Sequence, residues 1–284
     1  MPRSFVAGIG FDAVNSTEAV SRVENFLSGR VSLHEKARSA WGSMRAKTKF
    51  FLVTPNPEMV IAAQTNSAFK KILTTADLAV ADGIGILWGG YFLHLKRRNF
   101  FTLLASLFSV IFHSRKIHSV LPERVTGVDL FPKLLEVAAR RKKKVFLLGA
   151  AAGVAEKIKA KMEARIEGLE IAGVYAGSPA ESEAEAIFQR IEESDAEMLF
   201  VAYGAPAQEM WIARYLPHFK KVKFAAGIGG AFDFHAGLIA RSPRFLRAIG
   251  LEWLWRLLRQ PSRFPRIWNA TFRFISLVWR SRKV

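Results

Sequence analysis

The chain alternates between short apolar runs and longer segments in which apolar residues recur every three to four positions. The runs are FVAGIGFDAV (5–14), KFFLV (49–53), LAVAD (78–82), KVFLLG (144–149), EIAGVY (170–175), EMLFVAYG (197–204) and VKFAAGIG (222–229). Their length and their content of Val, Ile and Phe predict strands. The helical period predicts helices over Thr17–Leu27, Pro57–Leu73, Asp129–Arg141, Gly153–Ile166, Glu181–Glu193 and Ala207–Leu216. Strand–helix alternation at this spacing predicts an α/β fold with a doubly wound, mostly parallel sheet of Rossmann-like type. Ligands of such sheets collect beyond the carboxyl ends of the strands, so the residues that follow each run are the first candidates for chemistry.

After KFFLV comes Thr54-Pro55-Asn56-Pro57. The prolines stiffen the turn, and Thr54 and Asn56 offer side-chain hydrogen bonds, to a ligand or simply as helix caps. After LAVA comes Asp82-Gly83-Ile84-Gly85, an acid beside two glycines that suits a cap, a metal ligand or a general base. No Asp-x-Asp pair occurs, so a divalent-metal–diphosphate site has little support and no metal is expected. In Glu123-Arg124-Val125-Thr126-Gly127-Val128-Asp129, Arg124 can anchor a phosphate or pair with Glu123 or Asp129. Gly149 offers a backbone that a phosphate can approach, yet neither GAAAG nor GIGGAF is the GxGxxG fingerprint. No nicotinamide or other cofactor is therefore expected. Gln208 has donors and acceptors that fit a sugar hydroxyl or a base edge, and with Glu209 it can also cap a helix. Asp233, between Phe232 and Phe234, is either a ligand contact or a buried acid paired with Arg241 or Arg244.

Charge adds a second theme. The 284 residues carry a net charge of +18, placed unevenly. Residues 91–120 hold five Lys/Arg and no acid, and residues 241–284 hold eleven Lys/Arg and one acid, Glu252. The remainder is nearly neutral. The first basic segment surrounds FFTLLASLFSVIF (100–112); the second carries Trp253, Trp255, Phe264, Trp268, Phe272, Phe274 and Trp279. Neither is an uninterrupted apolar run of about 18 residues, the length needed to span a bilayer. Aromatic residues beside arginines match an interfacial membrane helix better than a nucleic-acid patch, which seldom needs a continuous Leu/Phe run. An anionic membrane surface is the expected partner and nucleic acid is not; burial in a homo-oligomer interface is the alternative. Cysteine is absent, which excludes a disulfide framework and thiolate metal sites. The N-terminus lacks the apolar run of a signal peptide.

Taken in order, TPNPE, ADG, ERVTGVDL, GAPAQE-W, GGAFDFHAG, RSP and GLEWLWRL-QPSR-R resemble the WecG/TagA/CpsF family of bacterial glycosyltransferases (glycosyltransferase family 26), from about Phe5 to Arg266. The resemblance implies an inverting, metal-independent transferase. Such an enzyme moves a hexose from a UDP-sugar donor onto a polyprenyl-diphosphate-linked sugar acceptor in cell-surface polysaccharide synthesis. UDP-ManNAc, UDP-ManNAcA and UDP-glucose all fit as donors. It also implies a peripheral location on the cytoplasmic face of the bacterial inner membrane. By the same resemblance Asp82 is the general base, and Thr54 and Asn56 line its pocket. Arg124 binds diphosphate, Gln208 contacts the donor, Asp233 lies near the uridine, and Arg256, Arg263 and Arg266 belong to a basic C-terminal appendage. The domain expectation is a catalytic domain over 1–242, with a membrane-facing insert at about 91–120, and an appendage over 243–284.

Two departures stand out. Ser178 replaces the aromatic residue the family usually has after Gly177, and the distance from Asp82 to Arg124 is longer than usual, with the greasy basic insert in between. Residues 96–116 are expected to form a second membrane-facing helix. The composition alone also fits a non-catalytic membrane-surface binding protein.

Overall fold

The computed structural model describes residues 3–30, 48–243, 246, 252–259, 261 and 264–281. Six strands form one parallel sheet: β3 (Phe50–Val53), β4 (Leu78–Ala79), β5 (Val145–Gly149), β6 (Ile171–Tyr175), β7 (Met198–Ala202) and β8 (Phe224–Gly227), in the order β4-β3-β8-β7-β5-β6. Every neighbouring pair is parallel. The continuous apolar runs explain why. Alternate residues point to opposite faces, and both faces are covered. Phe51, Val53, Phe146, Leu148, Leu199 and Val201 enter one core; Phe50, Leu52, Val145, Leu147, Met198 and Phe200 enter the other.

The second core is closed by α1 (Ser16–Leu27), α7 (Gly127–Arg140) and α8 (Val154–Arg165). The first is closed by α2 (Pro57–Thr65), α3 (Ser67–Thr75), α4 (Ile84–Leu93), α9 (Glu181–Glu193) and α10 (Ala207–Tyr215). The chain leaves β3 toward the first core through α2. It leaves the adjacent β8 toward the second through α11 (Ala231–His235), whose Phe232 is buried there. Adjacent strands whose successors diverge in this way open a crevice at their carboxyl ends.

Three expectations are corrected. FVAGIGFDAV is not a strand of the main sheet but a hairpin, β1 (Arg3–Val6) and β2 (Ile9–Asp12), joined by Ala7-Gly8 with φ of 50° and 80°. A two-residue turn with both φ positive suits the twist of antiparallel strands. Val6, Ile9 and Phe11 seat the hairpin on the first core, and the buried Asp12 ties it to the sheet by accepting from Ala79 N at 3.0 Å and from Arg3 at 3.2 Å. The helix expected over Pro57–Leu73 is two helices. Asn66 ends the first and caps the second, its side chain accepting from Phe69 N at 2.9 Å, because a short amide competes with the helical ladder for backbone N–H groups. Asn15 caps α1 in a reciprocal capping box with Glu18. The insert is a helix only over α5 (Phe100–Phe112), capped by Asn99 and Thr102, followed by a single turn, α6 (Ser114–Ile117).

The helix α4 has no polar face: ILWGGYFL is apolar on all sides and almost wholly buried. It receives three elements. The hairpin contacts it through Val6, α5 through a Trp88 Nε1 to Ser106 Oγ hydrogen bond of 2.9 Å, and the C-terminal helix α14 (Phe274–Arg280) through the fully buried Phe274 and Val278. Glycine makes the approach possible. A Cβ on Gly89 would lie 2.9 Å from Val6 Cγ1 and 3.4 Å from Phe274 Cζ. Upstream of α14 lie α12 (Glu252–Arg259), α13 (Phe264–Trp268) and a π turn over Asn269–Arg273.

Replacing Gly89 by valine gains helix propensity but overpacks this junction, and a crowded core costs more than one residue's propensity returns. Gly89→Val is expected to destabilise the protein by about 1–3 kcal/mol, read as a lower urea midpoint with an unchanged slope.

Candidate active site

Three loops meet at the carboxyl ends of β3, β4 and β8. The first follows β3. Thr54 is buried, and the Asn56 side chain caps α2 by accepting from Met59 N at 2.9 Å. The second carries Asp82, whose N–H donates to Pro55 O at 3.2 Å. Gly83, with φ of 117°, leads directly into α4 and lies against Pro57, where an added Cβ would stand 3.2 Å from the ring. The third approaches α7: Val125 N donates to Ala81 O at 2.9 Å, and Gly127 N donates to Asp82 Oδ2 at 3.4 Å. A Cβ built on Gly127 would be 3.6 Å from Thr54 Oγ1 and 3.9 Å from the Ile228 Cα. Thr54, Asp82 and Gly127 thus share one junction. The carboxylate of Asp82 faces the N-terminus of α7, whose exposed N–H groups favour negative charge.

Beside this junction a cavity of about 460 Å³ is lined by Arg124, Lys133, Arg165 and Arg241 against Glu123, Asp129 and Glu136. Two of these acids are engaged. Asp129 accepts from both Nη atoms of Arg241 and from Thr126 Oγ1 at 2.7 Å. Burial alone would raise its pKa. The Arg241 guanidinium, the Thr126 hydroxyl and the nearby charge of Arg124 outweigh that and bring it down to about 2. Glu123 accepts from Ser16 N at 3.0 Å, so neither carboxylate makes the simple pair with Arg124 that the sequence allowed. Burial lowers the His235 pKa, opposed by the hydrogen bond that its Nε2 donates to Val128 O at 2.8 Å.

At the end of β7 the side chain of Gln208 is held from three directions. Oε1 accepts from Gly204 N and from Gly229 N, each at 3.0 Å, and Nε2 donates to Glu209 Oε1 at 2.7 Å. Gln208 therefore does more than cap; it clamps the β7 loop to the β8 loop. Glu209 is fully buried, and Oε2 has no hydrogen-bond partner among the described residues. Burial pushes its carboxyl up to about 7, against the smaller opposing effect of the Gln208 hydrogen bond.

The remaining candidates are more scattered. Gly149 ends β5 with φ of 96°, and its close approach is to protein: an added Cβ would be 2.9 Å from the Ala202 carbonyl carbon. Asp233 lies half-buried in the first turn of α11; Arg241 pairs with Asp129, and Arg244 lies outside the described residues. Arg256 and Arg266 fall in α12 and α13 without described side chains, and Arg263 lies outside the described residues. Ser178, the departure at the family's aromatic position, directs its hydroxyl to Glu183 Oε1 at 2.7 Å. Sequence reading missed the Asp129–Arg241 pair and the buried acid Glu209; no local pattern marks a pairing across 112 positions, although GAPAQE itself was visible.

Glu209 gives a pH dependence with a definite sign. Its folded pKa, about 7, exceeds the usual 4.5, so between these values the folded chain binds more protons than the unfolded one. Stability is expected to fall as pH rises from about 4.5 to about 7, by on the order of 3 kcal/mol, and then to level off. Glu209→Gln should flatten that part of the profile, measured by urea unfolding at a series of pH values.

Comparison with known proteins identifies the family. The model of the family described as "Glycosyl transferase WecG/TagA/CpsF family" matches residues 6–111 and 105–284. A Bacillus spizizenii relative named N-acetylglucosaminyldiphosphoundecaprenol N-acetyl-beta-D-mannosaminyltransferase is 34% identical over 217 residues, covering 76% of this chain and 74% of the relative. A protein of the same name from Bacillus subtilis is 30% identical over 75% of this chain and 73% of its own length. Another from Staphylococcus aureus is 25% identical over 98% of this chain and 93% of its own. The chain belongs to the WecG/TagA/CpsF family of glycosyl transferases, and is by that membership an enzyme.

Proposed function

We propose that the chain moves one hexose from a UDP-sugar onto a sugar carried by a polyprenyl diphosphate, with inversion at the anomeric carbon and without a metal ion. The relatives' shared name favours N-acetylmannosamine as the transferred sugar and a GlcNAc-diphosphoundecaprenol acceptor. The observation that carries the reading is the junction of Thr54, Asp82 and Gly127 at the strand ends, beside a cavity lined by four cationic side chains.

The chemistry follows from that placement. A β-linked product made from an α-configured nucleotide sugar requires a single displacement, and a single displacement needs one base and no enzymic nucleophile. Asp82 takes the proton of the acceptor hydroxyl as its oxygen bonds to the anomeric carbon. The bond from that carbon to the β-phosphate oxygen breaks, and its electron pair leaves with UDP. Negative charge grows on the diphosphate, where Arg124 and the N–H groups at the start of α7 stabilise it. The clamp around Gln208 holds the β7 and β8 loops in register for the donor, and Asp233 contacts the nucleoside. Arg256, Arg263 and Arg266 of the C-terminal segment close on the diphosphate, and that segment lies peripherally on the cytoplasmic face of the membrane.

The test uses purified protein, EDTA, a panel of UDP-hexoses and a diphosphate-lipid-linked GlcNAc acceptor, with UDP release and product mass as readouts. A mass gain of one hexose is expected. Asp82→Asn should lower turnover by about 10²–10⁴-fold with the thermal unfolding curve unchanged. Arg124→Ala should mainly weaken donor or acceptor use, seen in kcat/KM. An Asp82→Asn variant as active as the parent would remove the assignment of the base, and complete loss of transfer in EDTA would remove metal independence.

A further inference from the structure

The helix α5 (Phe100–Phe112) is built with two unlike faces. One face is docked: Ser106 and Ser109 are buried, Trp88 donates to Ser106 Oγ at 2.9 Å, and Leu103, Leu107 and Val110 pack against the first core. The other faces solvent with Phe100, Phe101, Leu104, Phe108, Ile111 and Phe112. The four phenylalanines are 61–78% exposed. Spacings of three, four, seven and eight residues place these side chains along one stripe. A contiguous apolar stripe of this kind on a soluble surface marks a contact site.

Charge selects the occupant. Lys96, Arg97 and Arg98 precede the helix, Arg115 and Lys116 follow it, and no acid occurs between residues 91 and 120. An antiparallel pairing with a second copy would set one basic end against the other, which like-charge repulsion opposes. A bilayer with anionic headgroups offers hydrocarbon to the stripe and negative charge to both ends at once. The run is too short to cross: no helix among the described residues is long and apolar enough to do so. The end of α14 lies beside the insert, and the C-terminal helices expose aromatics of their own. Arg98 donates to Ser281 O at 2.9 Å, Trp279 stacks on Phe92 of α4 at 6.0 Å, and Phe264, Trp268 and Phe272 are exposed. We infer that α5 is an interfacial membrane-binding helix that seats its phenylalanine stripe in an anionic lipid surface, a contact separate from that of the C-terminal helices. Since α5 and α14 both dock on α4, and α4 begins two residues after Asp82, this contact fixes the height of the catalytic junction above the lipid.

Vesicle binding is read without donor or acceptor, so its outcome is independent of the proposed reaction. Full-length protein is sedimented with phosphatidylglycerol/phosphatidylethanolamine vesicles and, in parallel, with phosphatidylcholine vesicles. The triple variant Phe101→Ser/Phe108→Ser/Phe112→Ser is compared with Trp268→Ser/Phe272→Ser. The first variant should lower partitioning onto the anionic vesicles roughly tenfold or more, with the melting temperature unchanged because its side chains are exposed. The parent should bind phosphatidylcholine far less well. The chain has no cysteine, so Phe108→Cys carries a single environment-sensitive fluorophore whose emission should shift to the blue on anionic vesicles. Parent-like binding by the triple variant, or an unshifted emission, overturns the inference. So does a parent dimer that the triple variant converts to monomer with vesicle binding intact, which would assign the stripe to self-association.

Discussion

The constraint on which the rest of the structure depends is the near-complete burial of the helix Ile84–Leu93. A helix without a polar side must be covered on all of its sides, and this one is covered by the sheet, the N-terminal hairpin, the insert helix and the C-terminal helix. Its glycines set how near those neighbours come, with Val6 and Phe274 occupying the space that a side chain on Gly89 would fill. Elements from both ends of the chain and from its middle are thereby fixed to one axis. Asp82 stands at the beginning of that axis, so the position of the acid is set by packing over its whole length.

The strand-end junction is electrostatically divided. Asp129, Arg241 and Thr126 form a closed unit in which the acid stays ionised far below neutral pH. Glu209, after β7, is stripped of water and among the described residues meets one side-chain donor, Gln208, so burial raises its pKa to about 7. The two carboxyls thus have opposite preferences: Glu209 is far more deeply buried, and among the described residues only Asp129 has an arginine hydrogen-bonded to it. Neither is the residue assigned to proton transfer.

The doubly wound sheet was legible because its strands are short, continuous and apolar, which is what burial on both faces requires. The nearness of Thr54 and Asp82 followed from the rule that adjacent strand ends share an edge, whereas Arg124 follows no strand and comes beside them through the segment that leads into α7. Other features left no periodic trace. The helix Ile84–Leu93 has no polar stripe to reveal its period. The Ala7-Gly8 turn lies within an unbroken apolar run and so read as one strand. Asn66 ended a helix that the hydrophobic pattern carried through, because its cap depends on a side-chain hydrogen bond and not on apolarity. The Asp129–Arg241 pair joins residues 112 positions apart. The elevated pKa of Glu209 depends on surroundings that only the folded chain assembles.

The three-way hold on Gln208 has a consequence for recognition. Both lone pairs of its carbonyl oxygen are occupied by backbone N–H groups, and one amide hydrogen is occupied by Glu209. Rotating the amide by half a turn would set its NH₂ against two N–H donors, so the orientation is fixed. What remains of this ambivalent side chain is a single hydrogen. Toward any molecule resting on the edge, glutamine here has lost its ambivalence and speaks only as a donor, able to select an oxygen with a lone pair and unable to receive a proton in return.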